Sequence, residues 1–324
     1  MMEVTSKNIR FLARMGTRGA YGQAITEMAE EGYPFYATTA DLARSSGYDR
    51  LKANFPEKFF DCGISEQNMV GLAAGIARTG TPVFASTFGP FASLRCADQI
   101  KNYMGYMGMN VKMVALDSGL TLASLGSSHY GLEDMTLISS IPNIVLISPA
   151  DALEIYQAVY AAAKYQGPVY IRITGGTAPQ MIHRNEDYRF EIGKAITLKE
   201  GSDVAILACG AIIANAIKAV GMLEKKNISC TVVDMHTVRP LDRLTIDRTL
   251  SHKLIVTVEE HSIHGGFGSA VAEYLAPISY KPPQLMLGVN GFFPHAGDYQ
   301  YLLEQCGLTA EQIAQEIETK LLTL

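Results

Sequence analysis

Asp61-Cys62-Gly63-Ile64-Ser65-Glu66-Gln67-Asn68 runs without a break into a helix of small residues, Val70 to Ala77. One carboxylate, Glu66, stands at the start of that helix, and Gly71 and Gly75 leave room on its face for a second backbone to come close. The stretch reads in two ways. Ser65 as N-cap with an acid in the first turn is ordinary helix chemistry, because free N–H groups and the helix dipole favour both. A lone acid where an apolar helix meets a loop is also where proton chemistry is expected.

Outward from this stretch, short β-rich runs alternate with helical patterns. Pro34 to Thr39, Val83 to Ser86, Val111 to Asp117, Ile144 to Ser148 and Val169 to Ile173 read as strands, and Glu66 to Ala77, Arg95 to Met104 and Ala152 to Lys164 as helices. Near-continuous apolar strands separated by helices predict a parallel sheet covered on both faces. The alternation stops at Thr174-Gly175-Gly176-Thr177-Ala178-Pro179 and the polar run His183 to Arg189, which has linker chemistry. It resumes with Val204 to Cys209, a helix from Ile212 to Lys225, Cys230 to Asp234, Leu254 to Glu259, a helix after Gly268 and Leu285 to Val289. Leu308 to Leu322 reads as an amphipathic helix with Thr309 as N-cap. The expectation is an α/β chain of two domains, each a mostly parallel sheet flanked by helices. Residues 1–178 form the first, 179–192 a linker and 193–324 the second.

Composition narrows the classes. The chain has 324 residues, 48% of them apolar, enough for two cores. Its net charge is −5 with Lys and Arg dispersed, so no basic stripe calls for nucleic acid or an anionic membrane. Five cysteines, an odd number without a CxxC pair, read as reduced and mostly buried thiols; Cys62 has no flanking base to make it a nucleophile. No leader pattern or membrane span is legible, and the expected location is cytoplasmic.

Ligands of open parallel sheets bind beyond the carboxyl ends of the strands. The loops there are Thr38 to Ser46, Thr87 to Phe91, Asp117 to Gly131 and Thr174 to Pro179. In Thr87-Phe88-Gly89-Pro90-Phe91 two aromatics flank a turn; they form either a wall for a flat heterocycle or ordinary core. His129, in Ser124-Leu125-Gly126-Ser127-Ser128-His129-Tyr130-Gly131, sits in a Ser/Gly loop that suits a polar contact or proton transfer.

Together these segments resemble the carboxyl-terminal two-thirds of transketolase. Gly63 to Gln67 matches a Gly-Ile-(Arg/Ser)-Glu-(His/Gln) motif, Thr87 to Phe91 an aromatic loop, His129 with Leu132-Glu133-Asp134 the next loop and helix. Val233-Asp234-Met235, Arg239-Pro240-Leu241-Asp242, Thr257 to His261 and Gly265 to Ala270 follow in family order.

The resemblance implies a pyrimidine-binding domain and a transketolase C-terminal domain. It also implies thiamine diphosphate as cofactor and transfer of a two-carbon ketol unit from a ketose to an aldose. Glu66 matches the acid that bonds the aminopyrimidine ring, Phe88 and Phe91 the aromatics of its pocket, and Asp41 a residue near the thiazolium. Leu94 stands near a position where some relatives carry a further aromatic. Arg18 and Ser45 match substrate-phosphate contacts, and His129 a group that hydrogen-bonds the substrate.

Departures gather on the substrate side. Asp117 stands where the family usually has His, Leu125 where it has Asp, and Gly175 where it has Arg, so a sugar other than an ordinary pentose phosphate is expected. The Gly-Asp-Gly and Asn motif that holds diphosphate and Mg²⁺ does not occur. Those ligands, and no metal ligand here, are expected on an amino-terminal subunit in an α2β2 assembly. The glycine cluster Gly265-Gly266-Phe267-Gly268 is read as packing rather than a phosphate cradle. The alternatives are a deoxyxylulose-phosphate-synthase-like or oxo-acid dehydrogenase β-like subunit, or a catalytically silent partner.

Overall fold

A computed structural model describes residues 1–176 and 180–324. Two sheets carry the chain. The first has seven strands: β1 (Tyr36–Thr39), β2 (Phe59–Asp61), β3 (Val83–Phe88), β4 (Val111–Leu116), β5 (Val145–Ile147), β6 (Val169–Arg172) and β10 (Thr237–Arg239), in the order β10-β5-β6-β4-β3-β1-β2. The second has five: β7 (Ile196–Lys199), β8 (Val204–Ala208), β9 (Cys230–Asp234), β11 (Leu254–Ser262) and β12 (Gln284–Val289), in the order β12-β11-β8-β9-β7. All pairings are parallel except β10 on β5 and β7 on β9. This is the doubly covered α/β architecture that the apolar strand runs imply.

The expected strands agree with the observed ones to within a residue or two at most ends. Three short strands were not expected. β2 and β7 lie on sheet edges and mix exposed with half-buried residues, so they lack the continuous apolar signal. The third, β10, comes from the second half of the chain yet pairs antiparallel with β5 and completes the first sheet. The expected boundary at 178/179 falls on Thr177–Pro179, outside the described residues. Beyond it, the polar run read as linker turns inward at two points: His183 and Tyr188 are buried. The His183 ring lies 4.1 Å from that of Tyr188, and its Nε2 is 2.8 Å from Asp234 Oδ2.

The sequence reading had no element before Pro34, whereas a long helix, Ser6–Glu30, occupies this segment and bends at Gly16, where φ is +70°. Its second half is buried nearly all round, so Thr17, Gln23 and Thr26 interrupt any apolar stripe and hide its period. That half packs on the helix Ala152–Lys164 and on Phe84 and Val114, filling one face of the first sheet. Met69, Val70, Ala73 and Ala77 of the Glu66 helix fill the opposite face with Met113 and Ile100. The small residues let this helix lie close to the strands, fixing Glu66 at their carboxyl ends.

Gly22 of the long helix touches the loop after β1. A Cβ there would lie 2.5 Å from Gly47 O, inside any allowed contact. Gly22→Ala should therefore cost about 1–3 kcal/mol by overpacking, read as a lower urea midpoint. An unchanged midpoint would mean that the helix and loop do not meet in solution.

Two buried histidines make stability depend on pH. Burial pushes His261 down to about 4 and His236 down to about 3, from an ordinary value of 6.5. The unfolded chain binds the extra protons as pH falls below about 6.5, so stability is lost toward pH 4. His236→Gln should flatten this acid limb by up to about 1.4 kcal/mol per pH unit, measured by urea denaturation at pH 7 and pH 5.

Candidate active site

Glu66 opens the helix Glu66–Ala77 and is only 5% exposed. Ser65 does not cap it as expected: its hydroxyl turns back and donates to Cys62 O at 2.7 Å. The partner of Glu66 is instead Arg95, whose Nη1 donates to Oε1 at 3.1 Å. The Arg95 guanidinium lies over the Phe91 ring, 4.0 Å from its centre. Phe91 in turn has Phe88 at 6.3 Å and His129 at 5.3 Å, the latter tilted by 67°. Arg18 covers Phe88 at 5.5 Å and forms an ion pair with Asp117.

The structure thus brings Glu66, Phe91, Phe88, His129, Arg18 and Asp117 into one contiguous surface at the carboxyl ends of β3 and β4. His129 is half-buried, with Nδ1 3.0 Å from Ser128 Oγ. Asp117 is buried at a φ of +46°, and burial raises its pKa against the opposing pull of Arg18. A charged guanidinium half committed to a buried carboxylate is a weaker anion receptor than a free one.

Among the described residues, the other expected residues make no hydrogen bond or ion pair with this wall. Asp41 is exposed at a φ of +60°, and its N–H donates to Asp61 Oδ1 at 2.9 Å. Ser45 is half-buried on the same loop, whose next residue, Ser46, accepts from Ser86 Oγ at 2.9 Å. Leu94 is 53% exposed; the residue beside it, Arg95, is the one on the wall. Gly175, in place of a cation, donates its N–H to Thr121 Oγ1 at 3.1 Å.

Sequence reasoning missed two residues here. Arg95 reads in sequence only as a helix start, although a cation four residues after Phe91 is a usable signal. Asp61 reads in sequence as the first residue of the Glu66 stretch, with no role of its own. Its Oδ1 accepts from both Asp41 N–H and Gly63 N–H, fastening the loop after β1 to the turn before Glu66. Among the described residues, Gly71 and Gly75 meet no second backbone. The five thiols are free, with Cys62 and Cys306 half-buried and the others buried.

The glycine cluster is filled from within. Phe267 N–H and Gly268 N–H both donate to Glu259, at 2.7 and 2.8 Å, and a Cβ on Gly266 would strike that carboxylate. Among the described residues, one set of His, Cys, Asp and Glu side chains lies close enough to share an ion: Glu154, His183 and Asp234. It is buried between the helix Ala152–Lys164 and β9.

Two family models match, "Transketolase, pyrimidine binding domain" over residues 13–180 and "Transketolase, C-terminal domain" over residues 193–313. The chain belongs to the transketolase family. It is 38% identical to the "Putative transketolase C-terminal section" of Methanocaldococcus jannaschii, covering 93% of this chain and 95% of that one. It is 36% identical to the "6-deoxy-6-sulfo-D-fructose transketolase subunit SqwH" of Clostridium sp. (strain MSTE9), covering 92% of each. The solved structure described as "Split gene transketolase, inactive beta4 tetramer" matches with a TM-score of 0.84 and 39% identity, over 94% of this chain and 97% of that one. The chain thus resembles a putative transketolase carboxyl-terminal section and a split-gene transketolase chain along nearly their whole length. No described helix is long and apolar enough to cross a membrane.

The Glu66–Arg95 contact is a charge-assisted hydrogen bond with one buried partner. A double-mutant cycle of Glu66→Gln and Arg95→Met in the full chain should give a coupling of roughly 1 kcal/mol. Additive effects would mean that the pair does not form.

Proposed function

We propose that this chain is the carboxyl-terminal subunit of a two-component transketolase, moving a two-carbon ketol unit between sugars, with at least one substrate other than the usual pentose phosphates. The carrying observation is the buried Glu66 carboxylate beside the Phe88–Phe91 wall. Its residues fit the pyrimidine end of thiamine diphosphate: the wall is flat and apolar, and Glu66 Oε2 has no hydrogen-bond partner among the described residues. The diphosphate and Mg²⁺ need several hard oxygen donors. The reading assigns these to an amino-terminal subunit, in an α2β2 complex by symmetry.

When bound, thiamine diphosphate supplies a nucleophilic carbon and an electron sink. Glu66 would share a proton with the ring nitrogen of the pyrimidine, and Phe88 and Phe91 would hold the ring flat and dry. Arg95 has to release Oε1 or keep only that oxygen, leaving Oε2 for the ring. His129, edge-on to Phe91, is the donor for a substrate hydroxyl or a developing alkoxide. On the substrate side Asp117 engages Arg18 and Gly175 contributes no cation, which supports a substrate whose far end is held differently from a pentose phosphate. The similarity to a subunit named for a sulfo-sugar transketolase supports the same reading.

The test is reconstitution with an amino-terminal transketolase subunit. Ketol transfer should require both chains, and Glu66→Gln should lower kcat by about 10²–10⁴ or more. Efficient use of xylulose 5-phosphate with ribose 5-phosphate would contradict the substrate claim. Pyruvate decarboxylation would favour a deoxyxylulose-phosphate-synthase-like subunit, and a complex equally active with Glu66→Gln would leave this chain silent.

A further inference from the structure

The loop that carries His129 is closed and seated by a residue of the other sheet. Glu260 lies in β11 and is 1% exposed. Its Oε1 accepts from Leu120 N–H at 2.6 Å, and its Oε2 accepts from Tyr299 OH at 2.5 Å. Gly119 and Gly131, at the two roots of the loop, each donate an N–H to the other's carbonyl at 3.0 Å. At the second root, Arg172 Nη2 donates to Gly131 O at 2.9 Å and to Glu260 O at 2.8 Å, while its Nε reaches both oxygens of Asp134 at 3.0 Å.

The first root leaves no slack. Gly119 has a φ of +68°, and a Cβ there would lie 2.4 Å from Glu260 Oε1, so the carboxylate reaches Leu120 only because residue 119 has no side chain. Between the roots the loop has further ties: Tyr130 OH donates to Ala123 O within the loop, Ser127 Oγ donates to Pro294 O at 3.3 Å, Gly175 N–H donates to Thr121 Oγ1 at 3.1 Å, and Ala123 and Tyr130 pack in the core of the second sheet. Of these anchors, the bond to Leu120 N–H is the one that a buried carboxylate of the second sheet makes to the main chain of the loop.

We propose that Glu260 is a positioning residue, which fixes the Leu120 root of the loop and thereby holds His129 edge-on against Phe91. The role of His129 rests on the ketol-transfer reading; the seating of the loop does not. Burial raises the pKa of Glu260, and its bonds to Tyr299 and Leu120 and the nearby Arg172 charge oppose that shift. The second domain thus takes part in building the site through a main-chain N–H.

Hydrogen exchange on the full chain and kinetics of the two-subunit complex test this together. Glu260→Leu should speed exchange of the amides from Leu120 to Tyr130 by at least about tenfold, leaving β8 and β9 as protected as before, and should shift the His129 ring resonances. Glu260→Gln keeps an acceptor for Leu120, and Tyr299 can donate to or accept from the amide, so this variant should stay near wild type. In the complex, Glu260→Leu should lower kcat by about 10–100-fold with the ketose KM within about threefold.

Tyr299→Phe removes one bond to the carboxylate and should give a smaller change in the same direction, which keeps the test available if Glu260→Leu does not fold. Unchanged loop exchange in Glu260→Leu and Tyr299→Phe, or faster exchange spread evenly over both sheets, would overturn the proposal. A loosened loop alongside a wild-type complex that transfers no ketol unit would sink the functional reading and leave the positioning role standing.

Discussion

A guanidinium with no access to water holds the two halves of this chain in register. Arg172 ends β6, is fully buried, and spends its donors on Asp134, Gly131 O and Glu260 O. A buried cation is tolerable only when carboxylates and carbonyls replace its hydration shell. Here those partners come from the loop after β4, the helix after it and the second sheet, so the charge is satisfied in one arrangement of all three. Such a group contributes specificity more than net stability. The crossing of β10 onto β5 serves the same end through the backbone, because an edge left unpaired would expose a row of N–H and C=O groups.

That junction explains why the wall is where it is. The chain leaves β1 and β4 toward one end of the sheet, and both loops there are tied to a neighbour: Asp61 fastens the loop after β1, Gly22 meets Gly47 of the same loop, and Glu260 bonds Leu120 after β4. The Phe88–Phe91 wall and His129 then meet without needing a long-range contact of their own. Loops secured at their roots by a packed scaffold are where a site can be both shaped and exposed.

Charge is distributed along that wall as two half-satisfied pairs. Glu66 is buried and Arg95 is 47% exposed; Asp117 is buried and Arg18 is about one-third exposed. In each pair the acid is fixed by the fold while the long cation can swing, at a modest cost in hydrogen bonding. The acids therefore set the geometry, and the arginines can exchange partners when another group enters. Stacking on Phe91 and Phe88 gives each guanidinium a second favourable contact without charge.

Much of this was legible in the residues. Apolar runs at strand spacing locate nine of the twelve described strands, most plainly where burial is continuous, as in β4 and β8; edge strands such as β2 and β7 carry no such signal. The motif around Glu66, the paired phenylalanines and His129 were recognisable because short chemistry-bearing patterns survive in a linear chain. What the sequence determined by itself is therefore local: the α/β alternation, the acid at a helix start, the aromatic turn, the absence of a cation at Gly175. Only the tertiary structure decided that Arg95 meets Glu66, that Asp117 takes Arg18, that β10 joins the first sheet and that Glu260 seats a loop 140 residues away. Those contacts are made by burial and by the need to pair every buried polar group, and neither has a period or a spacing that a chain read in one dimension can show.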